Sequence, residues 1–186
     1  MFQRMIVIIL AFCCAAGFLW AQEAGKASGK GTIERVEPSA PGGIEQVGFS
    51  PRYAYAYAEG TGGKRSTWIV LTEKEPPVKS WGTAKDRSEA RRLWCEKEKT
   101  PFVALKLDAE WKVDLYFLCP SNGAVNTEML SSWNGLDSVV VKFDVRDGKR
   151  LKGTMRTGSG SCPGPDGGQA YCTKTGDYTF DALISK

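Results

Sequence analysis

The chain has no histidine among its 186 residues. That absence excludes Ser-His-Asp and Cys-His catalysis of the usual kind and the common catalytic zinc sites, which need imidazole ligands. An enzyme built from this sequence would have to work through carboxylates, Lys, Tyr, Arg or a bound metal. C-x-x-C spacing is also missing, which argues against thioredoxin-like chemistry and zinc ribbons. There is no dense basic stripe of the kind nucleic-acid binders carry: the 25 Lys and Arg are mixed among 21 Asp and Glu, for a net charge of only +4. No internal repeat is visible, and no long apolar run occurs beyond the N-terminus.

At that N-terminus, Arg4 supplies a positive charge, Met5 to Ala16 is apolar without a break, and Leu19-Trp20-Ala21 leads into polar Gln22 and Glu23. This layout predicts a secretory signal peptide over residues 1–21 and an exported, periplasmic or secreted domain. A cut after Ala21 places large Leu19 at a recognition position. A cut after Ala16 or Gly17 suits small residues better, and an uncut segment is just at the lower limit of a membrane span, about 17 residues. Cys13 follows Phe12, not a small residue, which disfavours a lipidated cysteine. Cleavage removes Arg4 and leaves the mature chain slightly less basic.

Residues 22–45 read as a flexible linker of Gly, Ala, Ser, Lys and Pro with no apolar period. A single β-rich domain is expected over 46–186, large enough to bury a real core. Tyr53-Ala54-Tyr55-Ala56-Tyr57-Ala58 alternates as a strand, with tyrosines on one face and alanines on the other. Trp68-Ile69-Val70-Leu71 is an apolar run of strand length, and the glycines at 60, 62 and 63 make the pair a hairpin. One helix is predicted over about 84–99. Thr83 and Asp86 form its capping box, Ala90, Leu93 and Trp94 its apolar stripe, and Pro101 its limit. Phe102 to Leu107 and Trp111 to Leu118 form a hairpin around Asp108-Ala109-Glu110. Asn126 to Trp133 reads as a short helical turn. Val139 to Asp144 and Leu151 to Arg156 flank Asp147-Gly148, which suits a tight type I′ turn. The chain closes with a strand alternating Tyr178, Phe180, Ala182 and Ile184. The sum is a mainly β fold on the α+β border: an antiparallel meander of about seven or eight strands, as a small sandwich or barrel, with one helix packed on it.

Four cysteines remain after the signal segment. In an exported chain, Cys95, Cys119, Cys162 and Cys172 suggest two disulfides, with Cys95–Cys119 and Cys162–Cys172 favoured among three connectivities. The second would close a Gly- and Pro-rich loop holding Pro165 and Asp166.

The order Trp68-Ile69-Val70-Leu71-Thr72-Glu73-Lys74, a helix, Val141-Lys142-Phe143-Asp144 with Gly153, and Tyr178-Thr179-Phe180-Asp181-Ala182 resembles a family of exported bacterial proteins of unknown function. They share a strand ending in a Thr-Asp/Glu-Lys-like turn and a final Tyr-x-Phe-x-Ala strand. The resemblance covers most of the domain and implies no catalytic residue.

Three features invite a functional reading. Gly60 to Thr67 looks like a phosphate loop, but Arg65 follows Lys64 and the first glycine position holds Ala58, so a hairpin turn is the better account. The ladder of Tyr53, Tyr55 and Tyr57 suits stacking on a planar ligand, or plain cross-strand packing. The loop with Pro165 and Asp166 suits recognition, since preorganised loops lose little freedom on binding. The carboxylates Asp144, Asp177, Asp181, Glu110 and Glu128 are scattered, no calcium loop is present around Asp144, Asp147 or Asp166, and no cofactor or metal is expected. The expectation is a non-catalytic binding domain that recognises a protein or polysaccharide partner of the envelope or exterior through its loops. It would not bind nucleic acid, and would touch a membrane only through an uncut signal segment. The alternatives are a carboxylate-dependent hydrolase acting on carbohydrate or envelope polymer, and a structural envelope protein.

Overall fold

The structure is a computed structural model that describes residues 24–36, 44–61, 65–98, 100–119, 128–130, 139–163 and 169–185. Ten strands share one sheet: β1 Gly25–Val36, β2 Ile44–Phe49, β3 Tyr53–Glu59, β4 Ser66–Thr72, β5 Phe102–Leu107, β6 Val113–Cys119, β7 Glu128–Leu130, β8 Val139–Arg146, β9 Arg150–Pro163 and β10 Gln169–Ser185. Nine of them follow the path β7-β6-β5-β4-β3-β1-β10-β9-β8, which curls into a nearly closed barrel, with β2 paired to β1 off the path. Pairing is antiparallel except for a short parallel contact between β3 and β10 at Ile184–Ala56 and Ser185–Tyr57. The expected β class and barrel option therefore hold, with more strands than the side-chain pattern indicated.

One extra strand, and the start of a second, come from the stretch read as a linker. β1 occupies residues 25–36 and sits in the middle of the sheet between β3 and β10. Its outward positions Lys26, Ser28 and Lys30 are exposed, whereas Gly25, Ala27, Gly29 and Gly31 are half-buried on the other face. Small residues are required there because Ala27 pairs with Phe180 and Gly29 with Tyr178, whose rings fill the interior. Gly29 has φ +126°, and a Cβ added to it would lie 2.0 Å from the Asp177 carbonyl oxygen, so only glycine fits.

Alternation along the strands decides what covers each side. The barrel interior takes Ile69 and Leu71 of β4, Val103, Leu105 and Leu107 of β5, Leu151 and Met155 of β9 and Phe180 of β10. β4 is buried on both faces from Ser66 to Thr72, as its unbroken apolar run requires. β8 instead alternates between covered and exposed positions. The outer face of β3–β5 accordingly lies under two helices, α1 Val78–Thr83 and α2 Arg87–Glu98.

The single predicted helix is thus two. Thr83 ends α1, and Asp86 alone caps α2, its Oδ1 accepting the Glu89 N–H at 2.9 Å. The inward face of α2 keeps Ala90 and Trp94 of the predicted stripe, but Leu93 is 50% exposed and Arg91 is buried instead. Arg91 sits 4.3 Å over the Trp68 ring and Arg87 5.3 Å over Tyr57. Cation–π contact lets guanidinium groups occupy positions that a hydropathy pattern reserves for apolar side chains.

Three local expectations also change. Residues 128–130 form β7, not a helical turn. The β8–β9 turn is wider than type I′: Gly148 has φ +80° but Asp147 does not have positive φ, and its Oδ1 instead accepts the Lys149 and Arg150 amides at 2.9 and 2.8 Å. β9 and β10 continue their ladder to Pro163 and Gln169, through most of the stretch read as a loop.

Tyr178 gives the fold a pH signature. It packs edge-on to Phe49 at 5.5 Å, and burial, with Asp177 adding, pushes its phenol up to about 12. The neutral form is the one the fold favours. Its contribution is complete below the ordinary phenol value of about 10 and disappears as pH rises through about 12. Urea midpoints should fall steeply across that window, and Tyr178→Phe should flatten the fall. An equal slope in both proteins would contradict the assignment.

Candidate functional site

The residues singled out from sequence do not assemble into a site. Tyr55 and Tyr57 are each 1% exposed, sealed by Trp81, Val78 and Trp94. Their rings lie 5.7 Å apart, and Tyr55 meets Trp81 at 5.6 Å. The Tyr57 hydroxyl accepts a 2.6 Å hydrogen bond from Arg91, and burial raises its phenol above the usual value despite that cation. Burial likewise pulls Arg91 below the usual guanidinium value, against the pull of Tyr57 and Glu59. The ladder is the core beneath the helices, with only Tyr53 half-buried at its start, so no face of Tyr55 or Tyr57 is free to stack on a ligand.

Pro165 and Asp166 lie outside the described residues, as do the side chains of all four cysteines. In the β9–β10 ladder Cys162 pairs with Ala170 and Cys172 with Gly160. That offset makes the two cysteines diagonal neighbours, about 7–8 Å apart, farther than a disulfide spans without backbone movement.

The singled-out carboxylates are mostly committed to neighbours. Asp181 is held in a two-pronged pair by Arg150 at 2.7 and 2.6 Å, Asp177 pairs with Arg156 at 2.7 Å, and Glu110 pairs with Lys112 at 2.6 Å. Asp144 stands exposed on β8, and the Glu128 side chain lies outside the described residues. Among the described residues no group of three potential metal ligands comes together.

A concavity lies at the barrel end where the β3–β4, β5–β6 and β8–β9 turns meet the end of β10. It encloses about 260 Å³ and is lined by Arg65, Thr67, Asp108, Trp111, Gly148 and Ile184. Local chemistry builds it. The Asp108 Oδ1 accepts the Glu110 and Lys112 amides at 2.8 Å each, its own amide reaches the Lys112 carbonyl at 2.9 Å, and Trp111 N–H reaches the Asp108 carbonyl at 3.1 Å. This closed turn leaves Trp111 at φ +67°, the left-handed position that such hairpins usually give to glycine. A bulky residue there costs about 1–2 kcal/mol.

Packing offsets that cost. The Trp111 ring meets Phe143 edge-on at 5.9 Å, and the Arg146 guanidinium lies 5.2 Å from its centroid. Phe143 in turn meets Phe180 of the interior at 6.0 Å, so the indole is tied to the core. The mouth therefore combines a fixed aromatic face, an apolar wall at Ile184 and the guanidinium-bearing Arg65, while Arg146 at the end of β8 backs the indole. Sequence reading placed Trp111 in a strand and Arg65 in a failed phosphate loop. The only signal of the site was the large aromatic directly after Asp108-Ala109-Glu110.

A larger depression of about 650 Å³ lies at the other end, on the order of 25 Å away along β10. Glycines 31, 48 and 176 open it, Lys30, Thr32, Ser50 and the buried Thr157 line it with Phe49, and the exposed Arg156–Asp177 pair stands at its edge. Compared with models of protein families, with curated proteins and with solved structures, the chain matches none.

Proposed function

We propose that this chain is an exported binding domain whose barrel mouth holds a small anion with an apolar body, or the anionic end of a larger envelope or extracellular partner. One observation carries the reading: the indole of Trp111, held in a strained backbone, shares the mouth with Arg65 and stacks against Arg146. Backbone strain concentrates where a side chain must be aimed. A cavity of about 260 Å³ sits just under the range of about 300–1,000 Å³ that drug-sized ligands fill, and so fits a fragment or a chain end. Trp111 and Ile184 supply the apolar contact and Arg65 a charge-assisted hydrogen bond. The nearby carboxylate, Asp108, already accepts two backbone amides and leaves the cations in excess. Recognition at turn ends retains the loop-based character expected from sequence.

The probe is 8-anilinonaphthalene-1-sulfonate, which joins a flat apolar body to one anion. Saturable binding is expected. Arg65→Ala should weaken it by roughly tenfold or more, the usual worth of a hydrogen bond to a charged group. Trp111→Ala should weaken it at least as much, and Lys79→Ala on the helix side should change nothing. Affinity unchanged from the unsubstituted protein in both the Trp111 and the Arg65 variant would remove the mouth from consideration.

A further inference from the structure

The outside of the barrel divides in two. Helices cover β3–β5, whereas β1, β10, β9 and β8 present a broad bare face made of three ranks set by the strand register. Lys26 pairs with Asp181, and Asp181 with Lys152; Ser28 pairs with Thr179, Thr179 with Thr154, and Thr154 with Lys142; Lys30 pairs with Asp177, Asp177 with Arg156, and Arg156 with Val140. The middle rank is cross-linked, with Ser28 Oγ 2.7 Å from Thr179 Oγ1. Both aspartates of the outer ranks are neutralised by Arg150 and Arg156. What remains exposed is Lys26, Lys30, Lys142 and Lys152 against Asp144, and although Lys26 and Lys152 flank Asp181 and feel its charge, none of these lysines forms an ion pair within 4.0 Å among the described residues.

We propose that this face lies on the anionic headgroups of a phospholipid bilayer. The charge is spread in two dimensions, over four strands and three ranks about 7 Å apart, which suits a plane better than a single extended polyanion. The free cations are lysines, point charges on flexible stems that accept unpatterned phosphates, while the arginines that could fork onto one phosphate are occupied by aspartates. Val140 and Leu183 stand 46% and 54% exposed on the same face and can meet the interface. In sequence the apolar stretch ending at Ala21 precedes Lys26 by five residues, at most about 17 Å of chain. Whenever that stretch occupies a bilayer, Lys26 is therefore held near its surface. Each lysine at an anionic leaflet contributes roughly fivefold to binding, so four together favour the surface-bound state by about 600-fold. Arg65 and Trp111 of the barrel mouth take no part.

Differential acetylation of lysines in the full chain tests this, read by mass spectrometry in vesicles of phosphatidylcholine with and without phosphatidylglycerol. The apolar stretch can insert in both vesicle types, so composition isolates the face. Labelling of Lys26, Lys30, Lys142 and Lys152 should fall by about fivefold or more with phosphatidylglycerol and return at high salt, while Lys85 and Lys97 on the helix side stay unchanged. The double substitution Lys142→Glu, Lys152→Glu changes exposed positions only and should abolish the protection of Lys26 and Lys30. Equal labelling in both vesicle types overturns the proposal. So does stronger protection by soluble polyphosphate than by anionic vesicles, which would make the partner a polyanion.

Discussion

Replacing Trp81 with alanine is expected to lower the unfolding free energy by about 3–5 kcal/mol, the range for deleting a buried large aromatic side chain. Trp81 is 2% exposed and touches both walls of the second core: its ring lies 5.6 Å from Tyr55 and 5.2 Å, edge-on, from Trp94. It is also the centre of a six-residue helix that has no side-chain N-cap. So short a helix is not stable alone, and tertiary packing has to hold it. The substitution removes the lid of the tyrosine ladder and its support together. Urea unfolding followed by far-ultraviolet circular dichroism measures the loss. Leu93→Ala, at a position 50% exposed on α2, is the reference and should stay within about 0.5 kcal/mol. A Trp81→Ala loss no larger than that would mean the tyrosines are not sealed as described.

Gly153→Ala should be nearly as damaging, by about 3 kcal/mol or more, at the upper end of overpacking effects. Gly153 lies in β9 between Phe143 of β8 and Phe180 of β10. A Cβ there would sit 2.1 Å from the Lys142 carbonyl oxygen and 3.1 Å from the Phe143 Cα. Both obstacles are backbone, so no rotamer change relieves them; β8 must move away from β9 next to its bulge at Phe143/Val145. Gly48→Ala is the matched control, since nothing lies within 4 Å of its added Cβ. Thermal unfolding of the two variants should separate them clearly. A Gly153→Ala protein as stable as Gly48→Ala would show that the β8–β9 contact yields.

Where side chains alternate apolar and polar, or run apolar without a break, the strands were legible. Tyr53 to Ala58, Trp68 to Leu71, Phe102 to Leu107, Val139 to Asp144 and Tyr178 to Ile184 all lie in strands. β1 was missed although it too has period two, with Gly25, Ala27, Gly29 and Gly31 against Lys26, Ser28, Lys30 and Thr32. Its inward set is small because the bulk comes from Phe180 and Tyr178 across the ladder. A pattern search for large apolar residues does not register a strand whose partners fill its space. The inward turn of α2 was misread for a related reason: Arg91 is held by Tyr57, Trp68 and Phe102, none of which is near it in sequence.

The barrel mouth was less legible still. Asp108-Ala109-Glu110 announced a turn, and a turn it is. Its hydrogen bonds place Trp111 at positive φ, and Phe143, some thirty positions further along, makes that conformation tolerable. Arg65 reaches the mouth from one other hairpin, and Arg146 of another lies against the Trp111 ring.

By itself the sequence determined the β class, most of the hairpins and which side chains share a strand face, because those follow from local periodicity and turn chemistry. Only the tertiary structure decided that the Gly- and Lys-rich stretch is a central strand, that the tyrosines lie under helices, and which four strands leave their lysines bare. Ladder hydrogen bonds join backbones and carry almost no side-chain signature, so the partner of a strand, and with it the surface left open, is fixed only when distant segments meet.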